Sequence, residues 1–322
     1  MKSKIILSAL FIVCILMLVL FCTNTPILNA KEPVIETGTQ DTVFIIDSSF
    51  SPLQDEPNAW YTKFHFIAHG GGGIDGKTYT NSLEAWQHSY NSGNRVIDAD
   101  LAYTADNHLV LRHNWNDNLE QISERMENSR KFFDKNGHLQ FLVQQERMSL
   151  PEFKRKKIFS KYTPMTLEDM ILFMEAHKDL YVSTDMKNDV LQSYRDLVDI
   201  ASKMGKKDVL DRIIVNLYRY ELHPLIMEIY PWKNITLRQH YVDKRDYKEL
   251  FEFCMKNKIH VLNVSSCYMN EKEIQFFIKA GIHIYVAVVD YISDMRHYRS
   301  LGASGAVSSW LIESDWTYVE GS

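Results

Sequence analysis

The stretch Phe64-His65-Phe66-Ile67-Ala68-His69-Gly70-Gly71-Gly72-Gly73, followed by Val96-Ile97-Asp98-Ala99-Asp100-Leu101 and Leu109-Val110-Leu111-Arg112-His113, decides the fold. The first piece reads as a short apolar strand that ends in a histidine and runs into four glycines, which leave the backbone open to a ligand. The second reads as a buried strand, and alternate residues of a strand share a face, so Asp98 and Asp100 point the same way. Two acids on one inward face invite a cation, because buried charge persists only when paired. Asp106-Asn107 is a turn signal, and the third piece returns as a short strand that delivers His113. Between them, Asn81-Ser82-Leu83-Glu84 has capping-box spacing for a helix start, with Asn81 as the cap and Glu84 reaching back. Two histidines and two carboxylates gathered at adjacent strand ends are the donor set that metal-assisted phosphodiester cleavage needs.

Strand and helix patterns alternate through the rest of the chain. Further strands are predicted at 180–187, 212–216, 235–239, 260–264, 283–289 and 303–308, with helices between them at 167–177, 190–204, 247–256 and 271–280 among others. With 64–68 and 96–101 that makes eight strands alternating with helices, which argues for a closed parallel barrel over an open sheet. The strand bearing His113 is then a hairpin on the exit of the second strand. Residues 114–164 interrupt the alternation as a charged, aromatic insertion, and its run Lys154-Arg155-Lys156-Lys157 reads as a solvated helix face or as a contact for an anionic polymer or lipid headgroup.

The 322 residues, 45% hydrophobic and 24% charged, suit one large domain with a well-buried core. Lys2 and Lys4 precede the uncharged apolar stretch Ile5 to Cys22, so residues 1–30 read as a signal peptide or membrane anchor, and 31–61 as a polar linker containing the strand-like Val43-Phe44-Ile45-Ile46. The barrel occupies 62–322, and an exporting leader would put its chemistry at the cell exterior. Only Cys254 and Cys267 lie outside the leader, too few for a disulfide-stapled secreted fold, so stability comes from the core. The formal net charge of -5 becomes -7 if Lys2 and Lys4 leave with a leader that holds no acid, which excludes general nucleic-acid binding.

Four separate segments carry a resemblance: His69-Gly70-Gly71, Thr80-Asn81-Ser82-Leu83-Glu84-Ala85-Trp86, Asp98-Ala99-Asp100 and His113-Asn114. In order and spacing they resemble the glycerophosphodiester phosphodiesterase family of the phospholipase C-like barrel superfamily. Where the family pattern has an arginine after the first histidine, a glutamate before the helix asparagine and a Glu-x-Asp pair, this chain has Gly70, Thr80 and Asp98. Leu180 to Lys187 resembles the family strand carrying a third ligand carboxylate and, two residues on, a lysine. The resemblance spans about 64–310 and implies a (β/α)8 TIM barrel with an insertion after the second strand, which follows the N-terminal membrane segment read from residues 1–30. It implies one divalent cation, Ca2+ or Mg2+, on Asp98, Asp100 and Asp185. It also implies His69 and His113 as acid and base, Lys187 on the phosphoryl oxygens, and Gly70, Gly71 and Asn81 as substrate contacts. The substrate is then a small or polymeric phosphodiester. A phosphatidylinositol-cleaving or sphingomyelinase D-like phospholipase, and a non-catalytic barrel that binds anionic glycans, are the alternative readings; the phospholipase needs an exposed apolar rim.

Overall fold

The computed structural model describes residues 51–115, 131–133, 139–141, 147–238, 247–265 and 271–320. The leader, Val43 to Ile46 and Cys267 lie outside them. Eight parallel strands close into a barrel: β1 (Phe66–Ala68), β2 (Val96–Tyr103), β6 (Tyr181–Met186), β7 (Ile213–Leu217), β8 (Asn234–Arg238), β9 (Val261–Ser265), β10 (His283–Ala287) and β11 (Gly305–Ser308), with β1 paired to both β2 and β11. The hairpin strand β3 (Leu109–Leu111) runs antiparallel on β2, as expected. Within the insertion, β4 (Lys131–Phe133) and β5 (Leu139–Phe141) pair antiparallel, and a short helix, Leu150–Arg155, follows. Lys154 to Lys157 are exposed, with Lys156 paired to Glu152 four residues earlier, as on a solvated helix face.

Period-two alternation sorts the side chains. Ile97, Ala99, Leu101 and Tyr103 of β2 join the core between barrel and helices, whereas Asp98 and Asp100 alternate with them toward the interior. Fully burying side chains such as Phe66, Ile97 and Leu101 contributes about 1.5–3 kcal/mol each. The covering helices begin where polar caps allow. Thr166 and Asp169 form a reciprocal capping box ahead of Leu167–Ala176, and Asp189 accepts from Gln192 N ahead of Val190–Lys203.

The amino end of the barrel is plugged by residues that precede β1. Trp60 and Tyr61 are buried against Ile67, Val96, Ile214, Val261, Tyr285 and Val307, and Leu53 N donates to Ala280 O. The packed unit thus reaches back to Leu53, into the 31–61 span read as linker, because two large aromatic rings fill the space that short strand starts leave open. Cys254 is a buried free thiol. Among the described residues, no helix is long and apolar enough to cross a membrane.

Candidate active site

At the carboxyl end of β2 and β6, parallel register sets Asp98 beside Ser183 and Asp100 beside Asp185. One oxygen from each of Asp98, Asp100 and Asp185 lies within 4.8 Å of the others, and all three residues are buried. A polar relay supports them from below. Thr236 Oγ1 donates to Asn216 Oδ1 (2.6 Å), Asn216 Nδ2 to Ser183 Oγ (2.9 Å), and Ser183 Oγ to Asp98 Oδ1 (2.9 Å). Tyr218 donates its hydroxyl to Asp185 Oδ1 at 2.7 Å.

Two basic side chains thread the acids. Lys187 Nζ lies 2.6 Å from Asp100 Oδ1 and 2.8 Å from Asp185 Oδ2. Arg238, at the end of β8, donates from Nη2 to Asp98 Oδ1 (3.1 Å) and from Nη1 to Asp185 Oδ2 (2.9 Å). Burial pushes the Asp98 carboxyl up; Arg238 pulls it down, but repulsion from Asp100 and Asp185 restores the rise. Burial pushes Asp100 up as well, yet Lys187 and His113 beside it bring its carboxyl below the ordinary value.

The donor set fits a hard divalent cation. Three carboxylates converge, and Asp98 Oδ2 is a buried oxygen with no hydrogen-bond partner among the described residues, an acceptor open to a cation.

The structure brings both predicted histidines to the same end of the barrel and inserts between them a residue the sequence reading missed. Tyr79 packs edge-on against His69, with ring centroids 4.5 Å apart, and against His113, 5.0 Å apart. Nothing in the local pattern of Tyr79 announces this, since a left-handed backbone (φ 56°) turns it inward. Burial pushes the His69 imidazole down to about 4, with Asp100 opposing and Arg238 and Lys187 assisting. Arg238 was also missed. Its signal was present as a charge closing the apolar strand Ile235-Thr236-Leu237-Arg238, in phase with Thr236.

The capping expectation at Asn81 is corrected. Ser82 is the cap of the helix Leu83–Asn91 and accepts from Ala85 N, while Glu84 accepts instead from Thr163 N and Oγ1 at 2.7 Å. Asn81, with φ 48°, turns its amide inward: Nδ2 donates to Asp100 Oδ2 (2.7 Å) and Oδ1 accepts from Asp100 N (3.1 Å). A side chain that reaches a carboxylate on a neighbouring strand offers it a charge-assisted bond, which a cap to neutral amides does not match.

Gly70 and Gly71 pass close under the same cluster. Gly70 has φ 54°, and a Cβ there would stand 3.0 Å from Tyr79 Cα and 3.3 Å from Asp100 Oδ2. At Gly71 it would stand 3.0 Å from the Trp86 ring, a side chain buried in the core rather than on the rim. Tyr218 and Trp115 are buried as well. Among the described residues, Tyr291 and Trp310, which follow β10 and β11, are exposed aromatics at this end, and a Cβ at Gly73 would stand only 2.4 Å from the Trp310 ring.

Solved structures with this barrel include a putative glycerophosphodiester phosphodiesterase from Galdieria sulphuraria, 17% identical, with a TM-score of 0.61, covering 79% of this chain and 97% of that one. A putative glycerophosphoryl diester phosphodiesterase from Silicibacter pomeroyi is 14% identical, with a TM-score of 0.58, covering 83% and 95%. An Oleispira antarctica phosphodiesterase, solved in complex with the product sn-glycerol-3-phosphate, is 12% identical, with a TM-score of 0.57, covering 81% and 99%. Identities this low carry the fold alone. A comparison with curated proteins returns no match. The sequence profile of the Glycerophosphoryl diester phosphodiesterase family, however, matches residues 72–308, a span that runs from the glycine loop after His69 to the end of β11 and holds the whole carboxylate cluster. A match over most of the chain, on a closed barrel whose acids converge at one rim, shows that this chain belongs to the glycerophosphoryl diester phosphodiesterase family.

Proposed function

We propose that this chain hydrolyses glycerophosphodiesters with the help of one divalent cation, Ca2+ or Mg2+, held by Asp98, Asp100 and Asp185. The observation that carries the reading is the convergence of three buried carboxylates within 4.8 Å. Family membership makes the chain a phosphoric diester hydrolase. When bound, the cation would polarise the phosphate as a Lewis acid.

The chain's own groups supply the rest. His69 stays a neutral imidazole at pH 7, the form that accepts a proton from the attacking hydroxyl at its ring nitrogen. His113, whose ring packs on Tyr79, then returns a proton to the leaving alkoxide in this reading. Lys187 directs its ammonium at the phosphoryl oxygens, where its attraction grows as negative charge develops. Asn81 holds Asp100 by both amide atoms. The apolar stretch Ile5 to Cys22 behind Lys2 and Lys4 supports action at the cell exterior, tethered to the membrane or secreted.

A second reading, cleavage of a lipid-linked diester, is favoured by the apolar rim. Val288, Tyr291 and Trp310 are 42%, 70% and 43% exposed, and all three follow β10 or β11 at the catalytic end. One assay separates the readings. The full-length protein is given headgroup diesters, glycerophosphate polymer and phospholipid vesicles, each with Ca2+, Mg2+ or EDTA. Turnover of the water-soluble diesters that EDTA abolishes is expected. Turnover of vesicles alone supports the lipid reading, and no turnover of any substrate with metal present overturns both.

A further inference from the structure

At the ends of β2, β6 and β8 the charges alternate along one run, Asp98, Arg238, Asp185, Lys187, Asp100, with separations of 3.1, 2.9, 2.8 and 2.6 Å. All five side chains are buried. Three carboxylates this close would repel strongly if bare, so the two cations are what allow them to face one another. A divalent cation needs several of these oxygens at about 2.0–2.6 Å. A guanidinium fork bonded to two of the three acids therefore competes with it directly.

Charge bookkeeping gives the competition a use. With all three acids ionised, as a bound cation would require, they and the two basic side chains sum to -1, and the dication would bring the cluster to about +1. That matches the single negative charge of a phosphodiester. A phosphomonoester product, with a second pKa of about 6, carries nearly two charges at pH 7 and is balanced less well. Tyr218 donates to Asp185 Oδ1, the oxygen that neither cation holds in this run, so that carboxylate stays placed if the guanidinium moves.

We propose that Arg238 is a displaceable counter-cation: it holds Asp98 and Asp185 together before a divalent cation binds, yields them when it does, and then grips the phosphodiester anion. Only the last step rests on the phosphodiesterase reading. A fixed structural strut would behave in the opposite sense, because removing it would disorder the acids and weaken metal binding.

Calorimetric titration of the full-length protein with Mg2+ and Ca2+ makes the test, comparing the wild type with Arg238→Gln. The variant is expected to bind either metal about tenfold more tightly, since the competing charge is gone. Bound to Mg2+, it is expected to bind a non-hydrolysable phosphonate analogue of a glycerophosphodiester, which carries the single charge of the diester, about tenfold more weakly. Unchanged or weaker metal binding overturns the proposal; tighter metal binding with unchanged anion binding overturns its last step. Should Arg238→Gln not fold, Arg238→Lys carries the test, because the shorter lysine lacks the planar pair of nitrogens with which Arg238 reaches Asp98 and Asp185 at once. Its metal affinity is then expected to rise about threefold, and no rise overturns the proposal. Calorimetry needs no turnover, so tighter metal binding by a variant of a protein that cleaves no diester would leave this inference standing while the catalytic reading fell.

Discussion

The ammonium of Lys187 and the guanidinium of Arg238 converge on one atom, Asp185 Oδ2, at 2.8 Å and 2.9 Å. Two cations tolerate that approach because Asp98 and Asp100 flank them, at 3.1 Å from Arg238 and 2.6 Å from Lys187. Each is anchored on a second acid, Lys187 on Asp100, which Asn81 holds in place, and Arg238 on Asp98, which Ser183 holds.

Lys187→Met keeps the apolar stem and removes the charge. In the metal-saturated protein it is expected to lower kcat by about 10² to 10³, the loss associated with one donor to developing negative charge, with a smaller change in KM. Steady-state kinetics on a soluble glycerophosphodiester checks it. A rise in KM at constant kcat would assign Lys187 to binding alone.

His69→Ala and His113→Ala are each expected to reduce turnover by about 10² or more while leaving the circular dichroism spectrum unchanged, as proton-transfer groups do. Both rings sit against Tyr79 at the barrel rim, outside the strand core. Near wild-type turnover in either variant, with metal saturating, would remove that histidine from the mechanism.

The depressed His69 imidazole makes a pH prediction. Its folded pKa of about 4 lies below the ordinary 6.5, so between those values the unfolded chain binds the extra proton and the folded one does not. This contribution to stability is therefore full above pH 6.5 and falls as pH drops toward 4, by on the order of 3 kcal/mol. Urea unfolding at pH 7 and pH 4.5 measures the slope, and His69→Gln should flatten it. An equally steep slope in the variant would place the titration elsewhere.

Asn81→Ala removes a donor to Asp100 Oδ2 and an acceptor of Asp100 N, both buried. It is expected to cost about 1–3 kcal/mol of stability and to weaken divalent-cation binding about tenfold or more, as loss of a partner that orients a ligand does. Thermal melts with and without Mg2+ report both effects. Unaltered metal affinity would leave Asn81 a purely structural residue.

Much of the fold was legible because alternation is a local property. Asp98 and Asp100 two apart in an apolar strand, and Asp185 and Lys187 two apart in another, must share a face wherever the strands lie, and eight such strands separated by helices close most readily as a barrel. The sequence by itself therefore determined the parallel barrel, the hairpin that carries His113, and the acids that turn inward. Only tertiary structure decided what those acids meet. The register of β2 on β6 brings Asp100 to Asp185, and barrel closure carries Arg238 of β8 to both Asp98 and Asp185, across 140 and 53 residues of chain. Asn81 has the local pattern of a helix cap, but an inward turn of one backbone angle gave its amide to a buried carboxylate 19 residues away. Tyr79 reached the histidines, and Trp60 the barrel floor, for the same kind of reason: long-range packing sets where a side chain is buried, and no local period encodes it.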